Sequence, residues 1–141
     1  NTLKTLSVTR EQLKCALERS AEYFAIDADG KLKVSESFLT PIEQHFNYDY
    51  FSGIEAAFDI RRSVGDRVVS IKYKGEELSG DKRLTLCMNN YRASGAGGYD
   101  IYRQCQTVRE LPTEIAELII AYVDRHRNIT VDKHKWLKLI Y

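Results

Sequence analysis

The sequence predicts an α+β protein in which a mixed β-sheet is flanked by two main helices, and three observations support this fold class. Short alternating apolar segments recur along the chain, two longer stretches carry apolar residues at helical spacing, and turn residues separate them. A length of 141 residues suits one domain, so we expect residues 1–141 to form one. The hydrophobic share of 43% and the charged share of 29% are ordinary for a globular protein.

The first part of the chain predicts a strand, a helix and a turn. Residues 3–8 alternate as a strand does, and residues 10–24 carry an apolar stripe preceded by Thr9, a good N-cap residue. The Asp-Ala-Asp-Gly run at residues 27–30 predicts a turn. Residues 31–50 show no clear period, and a segment of this length without regular structure is usually functional.

Three further strands are predicted over residues 54–60, 68–73 and 84–88, with a turn at residues 74–77. Residues 89–99 then predict a glycine-rich loop.

A second helix is predicted to start at Pro112, to extend over residues 113–127 and to end at Asn128 as its C-cap. Residues 136–141 alternate again and predict the strand that closes the sheet. Cys15 on the first helix and Cys87 in a strand are expected to be small buried hydrophobic residues, because the cysteine spacing fits neither a disulfide framework nor a zinc site.

Charge and motifs exclude several classes of function. A net charge of +1 lacks the basic excess that binding to nucleic-acid polymers requires, and no apolar run is long enough for membrane insertion. The three histidines are not spaced as metal ligands, and no nucleophile motif is present. We therefore predict no catalytic residue, no metal site and no cofactor within this chain.

Aromatic residues are concentrated in two irregular segments, residues 45–51 and residues 91–99. They either pack on neighbouring elements or line a slot for a flat ligand, which nearby glycines would let approach closely. A base stacked on such a ring gains roughly 1–3 kcal/mol. A nucleotide slot and a surface for a protein partner therefore both remain open at this point.

Three motifs, at residues 51–60, 64–68 and 89–95, resemble in this order the C-terminal domain of the 5′-nucleotidase family. The resemblance extends over nearly the whole chain, and it implies that an N-terminal metallophosphatase domain outside this sequence holds two divalent metal ions. This chain would then hold the nucleotide substrate and present it to that domain. The resemblance also implies an extracytoplasmic location, in the periplasm, in the cell wall or as a secreted protein.

Position within the motifs implies that the base is clamped between Tyr91 and Tyr48, with Tyr50 as the alternative to Tyr48. The same resemblance implies a substrate-binding loop, and its remaining members are Asn90, Arg92, Gly95 and Gly97.

Gly97 stands where family members specific for 5′-nucleotides have an acidic residue that binds the ribose hydroxyls. The surrounding motif more closely resembles the branch that acts on 2′,3′-cyclic nucleotides and 3′-nucleotides. A carboxylate accepts hydrogen bonds from a free diol but repels an anionic ester at the same oxygens. Arg92 either attracts that ester or is solvated.

We therefore expect the recognition domain of a bacterial bifunctional 2′,3′-cyclic-nucleotide 2′-phosphodiesterase and 3′-nucleotidase. The alternatives are a domain of a 5′-nucleotidase or nucleotide-sugar hydrolase, and a non-catalytic interaction module.

Overall fold

A computed structural model describes residues 1–141. The regular elements, in chain order, are β1 (Thr2–Val8), α1 (Arg10–Ala21), β2 (Phe24–Ile26), β3 (Leu32–Val34), β4 (Glu55–Asp59), β5 (Val68–Tyr73), β6 (Glu76–Glu77), β7 (Leu84–Asn89), α2 (Asn90–Ala93), β8 (Gln106–Glu114), α3 (Ile115–His126) and β9 (Leu137–Ile140). Short 3₁₀ helices lie at Glu36–Phe38, His45–Asn47, Ala96–Gly98 and Asp100–Gln104.

The α+β class and the two main helices are confirmed, and the strands are distributed over three sheets. One sheet has the order β7-β1-β8, the second is the β2-β3 hairpin, and the third has the order β6-β5-β4-β9. The third sheet is mixed, because β9 runs parallel to β4 while the other pairs are antiparallel. No helix is both long and apolar enough to cross a membrane.

Two compact units make up the chain. The first unit comprises residues 1–9 and 83–134, and the second comprises residues 10–82 and 135–141. The first unit therefore contains the β7-β1-β8 sheet with α2 and α3, and the second contains α1 with the other two sheets.

In the second unit, α1 is attached to β5 through a buried polar exchange. Glu18 lies on the apolar face of α1 and is only 8% exposed, and its two carboxylate oxygens accept the backbone N–H groups of Arg67 and Val68, each at 2.9 Å. In the opposite direction, the Arg67 guanidinium donates to the carbonyl oxygens of Ala21 and Phe24 at 3.0 and 2.7 Å. The arginine thus satisfies the carbonyl of Ala21, the last residue of α1, where a helix leaves carbonyls without intrahelical donors, and it also binds the carbonyl of Phe24 at the start of β2.

The largest error in the predicted elements lies before α3. Residues 106–114 form the nine-residue strand β8, and Pro112 lies inside that strand instead of starting a helix. The proline is tolerated because β8 is an edge strand, where a missing N–H group need not break the ladder. The helix begins at Ile115 and ends at His126, with Arg127 instead of Asn128 as its C-cap at φ 53°.

Three other predictions also need correction. The irregular stretch at residues 31–50 contains the strand β3, which pairs with β2, and the predicted loop at residues 89–99 contains α2. Cys15 and Cys87 are exposed instead of buried, because Cys15 lies off the buried stripe of α1 and Cys87 alternates outward on the edge strand β7.

Asp59 ends β4 with a bidentate ion pair to Arg61. The Arg61 Nε and Nη2 atoms donate to Oδ1 and Oδ2 of Asp59, both at 2.8 Å. The side-chain hydrogen bond from Arg61 lowers the pKa of the Asp59 carboxyl from 3.8 to about 2.

We expect Glu18→Ala to lower the free energy of unfolding of this chain by about 2–4 kcal/mol, because two buried backbone N–H groups lose their acceptor. Urea denaturation followed by circular dichroism measures this loss. Glu11→Ala on the exposed side of the same helix is the control and should change the value by at most about 0.5 kcal/mol. A Glu18→Ala effect no larger than the Glu11→Ala effect would contradict the role of the carboxylate.

The ion pair between Asp59 and Arg61 should make part of the free energy of unfolding depend on pH in the acid range. A carboxyl whose pKa is lowered on folding contributes stability above its unfolded pKa, and this contribution disappears as the pH falls from about 3.8 to about 2. The difference in free energy of unfolding between the unchanged chain and Asp59→Asn should therefore shrink over this interval. If the difference is the same at both ends of the interval, the pair does not stabilise the fold through its charge.

Candidate functional site

The glycine-rich loop of the first unit is a helical turn followed by a glycine-rich bend. Asn89 caps α2, since its Oδ1 atom accepts the Arg92 N–H at 2.6 Å. Ser94 stabilises the end of this turn, because its hydroxyl donates a hydrogen bond to the Tyr91 carbonyl oxygen at 2.7 Å. The bend follows with Gly95 at φ 88° and Gly97 at φ 75°, a left-handed conformation that glycine adopts without steric penalty.

Gly95 is required for a second reason, which is space. A Cβ atom at this position would lie 2.8 Å from the Nε atom of Arg103, whose side chain donates from that nitrogen to the Ser94 carbonyl oxygen at 2.9 Å. Gly95 is itself buried, and its role in binding the substrate stays a prediction.

Arg92 lies under the loop instead of in solvent, and the interpretation of Arg92 as a solvated side chain is wrong. The residue is 7% exposed, its guanidinium lies 4.5 Å from the centre of the Tyr99 ring, and its Nη1 atom donates to the Ala96 carbonyl oxygen. A buried guanidinium that binds a carbonyl and stacks on an aromatic face holds the two ends of the bend together. Its attraction for an anionic ester stays a prediction.

The two tyrosines of this segment, Tyr91 and Tyr99, differ in their exposure to solvent. Tyr99 is buried and stacks on Tyr102 with a centroid distance of 5.7 Å, so it belongs to the core of the first unit. Tyr91 is 53% exposed on α2. Asn90 is also exposed, and its Oδ1 atom accepts the Thr2 N–H at 3.2 Å, which ties α2 to β1.

Tyr48 belongs to an aromatic cluster of the second unit. Its ring lies 4.7 Å from the Tyr23 ring at a tilt of 31°, and it meets the Phe24 ring edge-on at 5.4 Å. Tyr23 is held in turn by a 2.8 Å hydrogen bond between its hydroxyl and the Nδ1 atom of His45. The cluster leaves Tyr48 half-buried, in a position set by its neighbours.

Tyr48 and Tyr50 line one apolar depression together with Trp136. The other residues that line this depression include Phe51, Phe58 and Leu137. The Tyr50 hydroxyl accepts a hydrogen bond from the backbone N–H of Trp136 at 3.1 Å, while Tyr50 remains more than half exposed. Sequence reasoning placed Trp136 in a strand and gave it no site role, because only the parallel pairing of β9 with β4 brings it to residues 48–50.

The predicted site residues therefore form two groups, one in each unit. Asn90, Tyr91, Arg92, Gly95 and Gly97 share the α2 loop, and Tyr48 and Tyr50 share the depression. No group of three or more histidine, cysteine, aspartate or glutamate side chains lies close enough together to hold a metal ion.

Comparisons with known proteins agree over most of the chain. Residues 1–104 match the family described as 5′-nucleotidase, C-terminal domain. A Staphylococcus aureus structure described as a 5′-nucleotidase in complex with α-ketoglutarate is 36% identical, with a TM-score of 0.92, and the match covers 100% of this chain and 28% of that one. A Thermus thermophilus 5′-nucleotidase precursor is 21% identical, with a TM-score of 0.68, over 99% of this chain and 25% of that one, which shows the fold alone.

The Bacillus subtilis trifunctional nucleotide phosphoesterase protein YfkN is 22% identical over 141 aligned positions, which are 92% of this chain and 10% of that protein. The chain thus spans between a tenth and just over a quarter of the length of these relatives. Residues 1–104 match this family, and the Staphylococcus aureus structure agrees with the whole chain. The chain therefore belongs to the family of 5′-nucleotidase C-terminal domains.

Proposed function

We propose that this chain is the base-recognition domain of a longer phosphoesterase and that the Tyr91 ring stacks on the nucleotide base. The exposed Tyr91 ring, held beside a bend of left-handed glycines, is the observation that carries the proposal. An aromatic ring that the fold exposes on a fixed turn offers a flat apolar surface, and base stacking on such a ring is worth roughly 1–3 kcal/mol.

The position of Tyr91 is prepared before any ligand arrives. The Asn89 cap and the Ser94 hydroxyl hold the backbone on both sides of Tyr91, and the Arg92 side chain donates to the Ala96 carbonyl oxygen in the bend. The backbone that carries the ring therefore loses little conformational freedom when a ligand binds, which favours affinity. Tyr48 is the second stacking ring implied by the family motif, and the cluster around Tyr23 orients it similarly within its own unit. Its role toward the base stays a prediction.

For the substrate, we favour 2′,3′-cyclic nucleotides and 3′-nucleotides. The bend has no side chain at Gly97, where 5′-nucleotide-specific members have a carboxylate, so a phosphate on the 2′ or 3′ oxygen would meet no negative charge from this residue. The name of the Bacillus subtilis relative, a trifunctional nucleotide phosphoesterase, is consistent with substrates beyond 5′-nucleotides.

The chemical step belongs, in this proposal, to an N-terminal metallophosphatase domain outside the sequence. The side chains of this chain do not provide the cluster that two divalent metal ions need, so we assign no reaction step to them. An extracytoplasmic location fits the Thermus thermophilus relative, which is described as a precursor.

A 5′-nucleotidase is the second candidate, because the Staphylococcus aureus and Thermus thermophilus relatives are both described as 5′-nucleotidases. Comparing the hydrolysis of 2′,3′-cyclic, 3′- and 5′-nucleotides by the longer protein decides between the two. Preference for the 5′-nucleotide would overturn the choice of substrate while leaving base recognition in place.

In the longer protein, we expect Tyr91→Ala to reduce kcat/KM for nucleotides roughly ten- to a hundredfold, as the loss of about 1–3 kcal/mol of stacking requires. Tyr91→Phe is the matched control and should be nearly neutral, because stacking needs the ring and not the hydroxyl. Kinetics and melting temperature are measured on the same samples. A folded Tyr91→Ala variant with unchanged kcat/KM, or an equal loss in Tyr91→Phe, would refute the stacking role.

We expect Gly97→Asp in the longer protein to lower the ratio of cyclic-nucleotide to 5′-nucleotide kcat/KM by roughly thirtyfold. Hydrogen bonds to a free diol and repulsion of a phosphate each contribute about 1 kcal/mol in a partly solvated site. Because Gly97 has φ 75°, any side chain adds backbone strain that lowers both activities.

Gly97→Asn separates charge from strain, since asparagine has nearly the same size and a similar tolerance of positive φ but no charge. Both variants should lose activity through strain, and Gly97→Asn should change the ratio less than Gly97→Asp, because its amide oxygen still accepts a hydrogen bond from the diol but carries no charge to repel the phosphate. The same ratio in both variants would mean that the missing carboxylate does not set specificity.

A further inference from the structure

The helix α3 exposes an apolar face. None of its twelve residues is buried, although the helix contains three isoleucines, a leucine, a valine and a tyrosine. Ile119 and Ile120 are 57% and 67% exposed, and Val123 is 42% exposed. At about 100° per residue these three side chains fall within about 100° of one another around the helix axis, so they form one stripe.

This stripe is unusual for a helix of three turns. In water, helices of this length derive most of their stability from packing an apolar face, and contiguous exposed apolar surface commonly marks an interaction site. The segments next to α3 extend the apolar surface of the first unit, because exposed large apolar residues also occur before and after the helix, at Val108, Ile129 and Val131.

The start of the chain lies beside the start of this helix. The Ile115 N–H, which belongs to the first residue of α3, donates to the Asn1 carbonyl oxygen at 2.8 Å. Any polypeptide that precedes Asn1 therefore leaves the first unit at the N-terminal end of α3. A covering segment would need only a short connection, so the entropy lost in closing the loop is small.

We propose that in the longer protein the segment immediately preceding Asn1 packs its apolar side chains on the stripe formed by Ile119, Ile120 and Val123. This inference rests on the proposed function, in which the chain is the C-terminal part of a longer polypeptide. The relatives, of which this chain spans only 10% to 28%, are long enough to supply such a segment. The segment is identified by its chemistry, as an apolar or amphipathic stretch that complements a neutral stripe.

Thiol accessibility in the longer protein tests the proposal. Val123→Cys places a thiol in the middle of the stripe with little change in size, and Arg125→Cys places one on the opposite side of the same helix, about 160° away. Maleimide labelling is followed by mass spectrometry of the α3 peptide, so the native cysteines do not interfere. Each rate is divided by the rate of the same variant in urea.

We expect the normalised rate of Val123→Cys to be at least about tenfold lower than that of Arg125→Cys, because a packed side chain reacts only after local opening. The protection should not change when the protein is diluted. Equal rates would overturn the proposal, and so would protection that disappears on dilution, because a second copy would then cover the stripe. Should Val123→Cys fail to fold, Ile119→Cys provides the same comparison.

Nucleotide hydrolysis by the same samples separates this proposal from the proposed function. An active protein in which both thiols react equally fast refutes the packing of the preceding segment but not base recognition. A protected stripe in a protein that hydrolyses no nucleotide supports the packing and refutes the proposed function.

Discussion

The second unit depends on a single buried exchange of polar groups between α1 and the start of β5. The Glu18 carboxylate accepts two backbone N–H groups, and the Arg67 guanidinium donates to the carbonyls of Ala21 at the end of α1 and of Phe24 at the start of β2. Because both charged groups are buried, each is tolerated only while its hydrogen bonds are complete. The exchange therefore specifies one arrangement of helix and strand, whereas apolar packing alone would accept several.

The first unit also uses a buried arginine to bind a backbone carbonyl group. Arg92 is buried beneath the glycine bend, where it binds the Ala96 carbonyl oxygen and lies over the Tyr99 ring. The buried guanidinium of Arg92 stabilises the loop, while the neighbouring Tyr91 stays exposed. Arg92 thus holds the bend while the adjacent Tyr91 exposes its ring, and this is the reason for which we propose Tyr91 as the contact for a base.

The exposed surfaces of the chain fit the proposal that it works as part of a longer protein. The chain carries an exposed ring and an apolar depression but no cluster of metal-binding side chains. Its α3 stripe is uncovered beside Asn1, and its relatives are several times longer. A recognition domain that receives its chemistry from another domain would show these features together.

The sequence by itself determined the α+β class, α1, most of the strands and, through its ordered motifs, the family, because apolar periodicity and turn residues are local signals. It failed at β8, where Pro112 resembled a helix start and only the edge position in the sheet makes a proline acceptable in a strand. The motifs indicated Tyr91 and Tyr48, whereas tertiary structure alone buried Arg92 and brought Trp136 beside Tyr50. Tyr50 and Trp136 lie 86 positions apart in the chain, and Arg92 is buried only because the glycine bend folds back over its side chain, so apolar periodicity encodes neither feature.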